Sequence, residues 1–158
     1  MPRSYLDSSA IVKRYSKEEG SPAVHALFRA AYVGRMNLIL SEWNVGEVLG
    51  VLQRKARESG QAKDFTRQKQ RMHGEVATLS RLSFLEAAPV SSKLLRECWP
   101  IQERHFLYVA DALQIATAEE QACDHFVTGD EDLYQAAKAE GLRALHTVHD
   151  RARIEKLA

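Results

Sequence analysis

The sequence predicts an α/β fold, a mostly parallel β-sheet covered on both faces by helices. Short apolar runs suited to buried strands alternate with longer stretches of helical periodicity along the whole chain. No internal repeat, low-complexity tract or Gly/Ser linker interrupts that alternation, so one domain is expected. Acidic residues follow directly on two of the strand-like runs, where sites form in sheets of this kind.

SYLD (4–7) reads as the first strand, followed by helices from about Ser9 to Glu18 and from about Pro22 to Ala31. NLILS (37–41) is a short apolar run suited to a buried strand, and a long helix follows from about Glu42 to Ser59. A largely polar helix spans about Ala62–Leu79, and FLEAAPV (84–90) reads as a strand. Helices are then expected at about 91–98 and 109–122. HFVT (125–128) is a strand, Glu131–Glu140 a helix closed by Gly141, and LRALH (142–146) the last strand.

The 158 residues are enough to bury a real core, and 45% hydrophobic with 27% charged residues is an ordinary globular composition. MPRSYLDSS lacks the apolar stretch of a secretory leader, and no run approaches the ~18 apolar residues of a membrane span. A cytoplasmic protein with no membrane contact is expected. Cys98 and Cys123 are too few for a disulfide framework or zinc ribbon and are read as reduced thiols. A net charge of +1 does not announce nucleic acid by itself. If four carboxylates gather around cations, however, the remaining surface carries about +5.

Four acids carry the chemical argument. Asp7 in YLDSSA and Asp130 in FVTGDEDLYQ each stand between a strand and a helix, where a helix cap explains either one equally well. Glu47 points away from the apolar stripe Val45, Val48, Leu49, Leu52 and Ala56. Its own helical neighbours are Trp43, Gly50 and Val51, so a covered Glu47 must be paired, protonated or bound to metal, and an uncovered one is simply solvated. Asp111 shares a helical face with Ile115, Ala118 and Ala122, an unusual place for an acid unless the helix begins at Asp111 and uses it as a cap. Carboxylates brought to one sheet edge repel, and a cation is the natural resolution. Oxygen-only ligands favour Mg²⁺ or Mn²⁺ over zinc.

YLDSSAIVKRY, SEWNVGEVL, VADALQIATA and FVTGDEDLYQAAKAEGL resemble, in order and separation, the four motifs of the PIN-domain family, most closely its VapC-type toxins. The resemblance runs from Tyr5 to about Leu142. It implies a Rossmann-like three-layer α/β/α sandwich over residues 1–148, with 149–158 as a C-terminal tail. It also implies a Mg²⁺- or Mn²⁺-dependent ribonuclease with Asp7, Glu47, Asp111 and Asp130 as catalytic and metal-binding residues. Ser9 and Thr128 match polar positions that support the cluster, and Asp132 an acid just beyond the fourth. A homodimer and a VapB-like antitoxin are the implied partners. Gln114 replaces a histidine common in the third motif and, as a non-ligand, is set aside; the 96–108 stretch, with Trp99, Pro100 and His105, departs from the family pattern.

One or two divalent ions in such a site would activate water for in-line attack on a phosphodiester. Asp7, Asp111 and Asp130 are expected nearest the metal, with Glu47 direct or through water. A positive rim must hold the RNA backbone. Lys13 and Arg14 follow the first acid closely, and Arg54 lies about 10 Å beyond Glu47 on nearly the same face; a solvated basic face explains them as well. The Arg67–Lys69–Arg71 run reads as surface. His146 and His149 have a metal-like spacing but no third ligand nearby in sequence, and are read as surface histidines. Trp43 and Trp99 are expected in core or interface packing rather than in base stacking.

Competing readings are a PIN nuclease of RNA processing outside any toxin pair and a non-catalytic protein-interaction module. A phosphatase pocket wants a second Asp where Ser9 stands.

Overall fold

The computed structural model describes residues 1–158. Its sheet has five strands, β1 (Arg3–Leu6), β2 (Asn37–Ser41), β3 (Leu85–Ala88), β4 (His125–Thr128) and β5 (Ala144–His146), in the order β3-β2-β1-β4-β5. Every pairing is parallel. The sequence expectation of an α/β sandwich is met, with a sheet that is parallel throughout rather than mostly so.

Alternation along the strands builds two cores, because successive side chains leave a strand on opposite faces. Tyr5 lies level with Ile39 on β2 and Phe126 on β4, and the Tyr5 and Phe126 rings stack at 5.4 Å. These residues pack under α5 (Ser92–His105), α6 (Val109–Glu120) and α7 (Glu131–Ala139), against Leu94, Cys98, Ile115, Leu133 and Ala137. Leu6, Leu38, Leu40 and Val127 face the other way. They meet side chains from α1 (Ser8–Tyr15), α2 (Ser21–Tyr32), α3 (Glu42–Glu58), α4 (Ala62–Arg81) and α8 (Arg151–Leu157).

Three segments differ from the sequence reading. Helix α1 ends at Tyr15, short of Glu18, and releases residues 16–20 as a loop. Helix α5 does not stop near residue 98 but continues through Pro100 to His105, since Leu94, Cys98 and Ile101 keep one buried stripe at helical spacing. The residues expected as a tail form α8, whose Ile154 is fully buried in the core built on Leu6, Leu38, Leu40 and Val127.

Strand order places the switch point between β1 and β4. From β1 the chain builds outward through β2 to β3, then returns to add β4 on the opposite side. The carboxyl ends of β1 and β4 therefore diverge into a crevice, the place where α/β sheets bind ligands. Asp7 follows β1 there and Asp130 follows β4.

Candidate active site

Asp7 caps α1 and belongs to the site at the same time. Its Oδ1 accepts the Ala10 N–H at 2.8 Å, and Thr128 Oγ1 donates to Oδ2 at 2.8 Å. Ser9 Oγ lies 2.8 Å from both Asp7 oxygens and accepts the Gly129 N–H at 2.8 Å. Thr128 Oγ1 in turn accepts the Asp130 N–H at 3.0 Å. Ser9 and Thr128 thus tie the turn after β1 to the turn after β4. Asp130 caps α7 through Leu133 N–H at 2.8 Å, and its side chain is exposed toward the crevice.

Glu47 and Asp111 come from helices on opposite faces of the sheet. Helix α6 starts at Val109, so Asp111 is not its cap, and its carboxylate has no hydrogen bond to oppose the effect of burial. Glu47 accepts a hydrogen bond from Ser8 Oγ. Ser8 Oγ accepts from Asn44 Nδ2 at 2.8 Å, and Asn44, one turn before Glu47, is completely buried. Its Nδ2 also donates to Gln114 Oε1 at 2.7 Å, while its Oδ1 accepts from Tyr5 Oη at 3.0 Å and Ser41 N–H at 2.7 Å. Gln114 Oε1 further accepts the Ser8 N–H at 3.1 Å. The residue set aside as a non-ligand is therefore a junction of the network that orients Glu47.

All four carboxylates line one cavity of about 500 Å³, together with Ser8, Ser9, Lys13, Glu18, Lys55 and Gln114. Burial pushes the Asp7 carboxyl up to about 6, against the hydrogen bonds of Ala10, Ser9 and Thr128 and with the help of the Asp130 charge. Burial likewise raises Asp111 to about 6, reinforced by the charges of Asp130 and Glu47. Acids that resist ionisation because they are buried and, to a lesser degree, because of one another's charge, with oxygen as their only donor atom, fit a hard divalent cation.

The remaining residues of interest separate clearly. Lys13 lines the cavity, and Arg54 lines an adjoining open cleft with Glu47, Gly50, Val51, Gln53 and Arg57. Arg14 does not reach either. Its guanidinium is held by Glu75 at 2.5 and 2.9 Å beneath α4, which removes it from the phosphate-binding candidates. Asp132 lies outside the cavity, in a separate cleft with His105 and Phe106. Trp43 and Trp99 are about half exposed rather than packed in a core.

His146 is buried, and the third partner missing from the sequence neighbourhood is Glu131, with ligand atoms of Glu131, His146 and His149 all within 4.8 Å. The expectation of surface histidines fails for His146. Yet His146 Nδ1 accepts the N–H groups of Val148 at 3.2 Å and His149 at 3.3 Å. The neutral ring therefore keeps its proton on Nε2, which leaves no lone pair for an ion.

The sequence reading missed Ser8, Asn44, Lys55 and Glu18. Asn44 sits three residues before Glu47, a signal visible at helical spacing. Lys55 is two turns beyond Glu47, one residue past the Arg54 that was singled out. Glu18 lies in a loop, where no periodicity marks it.

A parallel α/β/α sandwich with an acid-lined cavity at its switch point defines the general class. The PIN-domain family profile matches residues 4–139, and the chain belongs to that family, whose members are generally nucleases acting on nucleic acid. PAE2754 from Pyrobaculum aerophilum has a similar fold, with TM-score 0.65 and 16% identity over 98% of this chain and 96% of that one. VapC20 from Mycobacterium tuberculosis, a toxin that cleaves the sarcin-ricin loop, aligns with TM-score 0.61 and 15% identity over 88% and 95% of the two chains. No curated protein matches the sequence significantly. No helix is long and apolar enough to cross a membrane.

Proposed function

We propose that the protein is a Mg²⁺- or Mn²⁺-dependent endoribonuclease, acting in the cytoplasm as the VapC-like toxin of a toxin–antitoxin pair. The observation that carries this reading is the convergence of Asp7, Glu47, Asp111 and Asp130, one from each motif, on one cavity. Asp7, Asp111 and Asp130 would hold the cation most closely, and Glu47 directly or through water. When bound, the cation supplies Lewis acidity toward water and the phosphoryl oxygens.

The chain's own groups do the rest. Ser9 and Thr128 hold the Asp7 carboxylate and keep its oxygens aimed into the cavity. Ser8, positioned by Asn44, does the same for Glu47. Lys13 and Arg54 offer positive charge to the RNA backbone. A homodimer, and inhibition by a VapB-like antitoxin, complete the proposal; they rest on the family resemblance.

The test uses purified, antitoxin-free protein and a panel of structured RNAs, with Mg²⁺ or Mn²⁺ and then with chelator, alongside Asp7→Ala and Asp111→Asn. Cleavage by wild type, its loss on chelation, and a fall of at least about 100-fold in both folded variants are expected. An intact RNA panel, or variants that cut as well as wild type, would overturn the reading. Co-purification with a small DNA-binding protein that suppresses cutting supports the toxin role.

A further inference from the structure

The acid-lined cavity contains a second, opposite feature. Lys13 and Lys55 enter it from α1 and α3, and both ammonium groups converge on one carboxylate, Glu18 of the α1–α2 loop. Lys13 Nζ stands 3.3 Å from Glu18 Oε2 and donates to the Glu19 carbonyl at 3.0 Å. Lys55 Nζ pairs with Glu18 Oε1 and donates to Ser16 Oγ at 3.3 Å. Burial alone would raise the Glu18 carboxyl, but Lys55 and Lys13 together hold it below its ordinary range.

Two cations around one anion leave a net positive charge, in a cavity whose other charged groups are carboxylates. Such a cluster attracts an anion to a place that would otherwise repel one. Its position is specific. A Cβ at Gly129 would fall 2.6 Å from Lys13 Cε and 3.3 Å from its Nζ, so the glycine between Thr128 and Asp130 leaves room for this lysine. Lys13 is thereby seated one residue from an acid of the cluster. Glu47 and Val51 line both this cavity and the cleft that holds Arg54 and Arg57, so the two openings adjoin. Glu18 is 27% and Lys55 42% exposed at the side chain, so the carboxylate can be exchanged without opening the core.

We infer that Lys13 and Lys55 form a phosphate-binding subsite beside the acid cluster, in which the Glu18 carboxylate stands in for a backbone phosphate of the RNA strand. Carboxylate and phosphate oxygens both accept from ammonium groups, and RNA entry exchanges one for the other. The identity of the ligand as RNA rests on the nuclease reading; the anion seat itself does not.

The test measures binding of a short labelled single-stranded RNA to the full chain by fluorescence anisotropy, in chelator and over a range of salt. Removing the competing charge with Glu18→Gln should tighten binding about 3- to 10-fold, while Lys55→Gln should weaken it and lower the salt slope by about 0.7. In the double variant Lys55→Gln should cancel the gain from Glu18→Gln, as coupled residues do. Circular dichroism checks folding; if Glu18→Gln is unfolded, the salt slope of Lys55→Gln decides. An unchanged affinity in folded Glu18→Gln, or an unchanged slope in Lys55→Gln, overturns the subsite. Cleavage of RNA by wild type with Mg²⁺ or Mn²⁺, assayed in parallel, separates the two claims. If wild type cuts but Glu18→Gln binds no tighter, the subsite is wrong and the nuclease stands. If wild type cuts nothing but the affinity and slope change as expected, the subsite stands and the nuclease falls.

Discussion

At the scale of single residues, Asn44 has its hydrogen-bonding capacity filled, two bonds accepted at the carbonyl and two donated by the amide. Gln114 accepts one of them, along with the Ser8 N–H. Replacing Gln114 by Leu leaves both donors without partners beneath Glu47. The expected cost is about 2–4 kcal/mol of folding stability, read from urea denaturation. A loss below about 0.5 kcal/mol would show that water or a shifted side chain replaces the amide. Asp7 illustrates a different lesson. Cap and site residue were alternatives in the sequence, but one carboxylate both caps α1 and lines the acid-lined cavity, because the helix start and the strand end coincide there.

At the scale of elements, α5 is the segment whose sequence argues most openly against its structure. Proline in a helix interior lacks a donor and crowds the carbonyl four residues back, so an end before Pro100 is the natural expectation. The buried stripe of Leu94, Cys98 and Ile101 outweighs this. Arg104 and His105 then fix the far end by pairing with Glu140 beyond α7 at 2.8 and 2.5 Å. The chain leaves α5 through Phe106, left-handed at φ 54° and almost wholly exposed. Pro100→Ala should therefore raise stability, by up to about 3 kcal/mol, with the gain seen in thermal melting. A lower melting temperature would mean that the proline sets a bend on which α5 packing depends.

At the scale of the molecule, the acid cluster sets how stability responds to pH and metal. The Asp7 carboxyl is raised from 3.8 to about 6 in the folded state. The folded protein therefore holds this proton more tightly than the unfolded chain does. The stability it contributes is fully present below about pH 3.8 and is lost as pH rises through about 6, a change near 3 kcal/mol for this group. Asp111 shifts in the same direction. A cation held there, as proposed, would reverse that loss, because it favours the ionised form. Mg²⁺ or Mn²⁺ should raise the melting temperature clearly near pH 7.5 and much less near pH 5, where protons compete for the same oxygens. Equal shifts at the two pH values would mean that the cation binds elsewhere.

Fold class and element order were legible in the sequence, because the period of apolar residues reports which side of a strand or helix is covered. NLILS and HFVT carry that signal clearly, and the structure gives β2 and β4 those bounds. The four acids were legible as an ordered set of motifs. Their convergence was expected from the motifs, but what produces it was not legible: strand order places β4 beside β1, and α3 and α6 reach the same edge from opposite faces. The same holds for Arg14, which sequence spacing placed with the site and Glu75, sixty-one residues away, draws elsewhere. Sequence by itself determined which carboxylates were available and the elements that carry them. Only tertiary structure decided that Ser8, Asn44 and Gln114 brace Glu47, and that Glu18 sits between two lysines. Hydrogen bonds and ion pairs between distant segments have no sequence period to announce them.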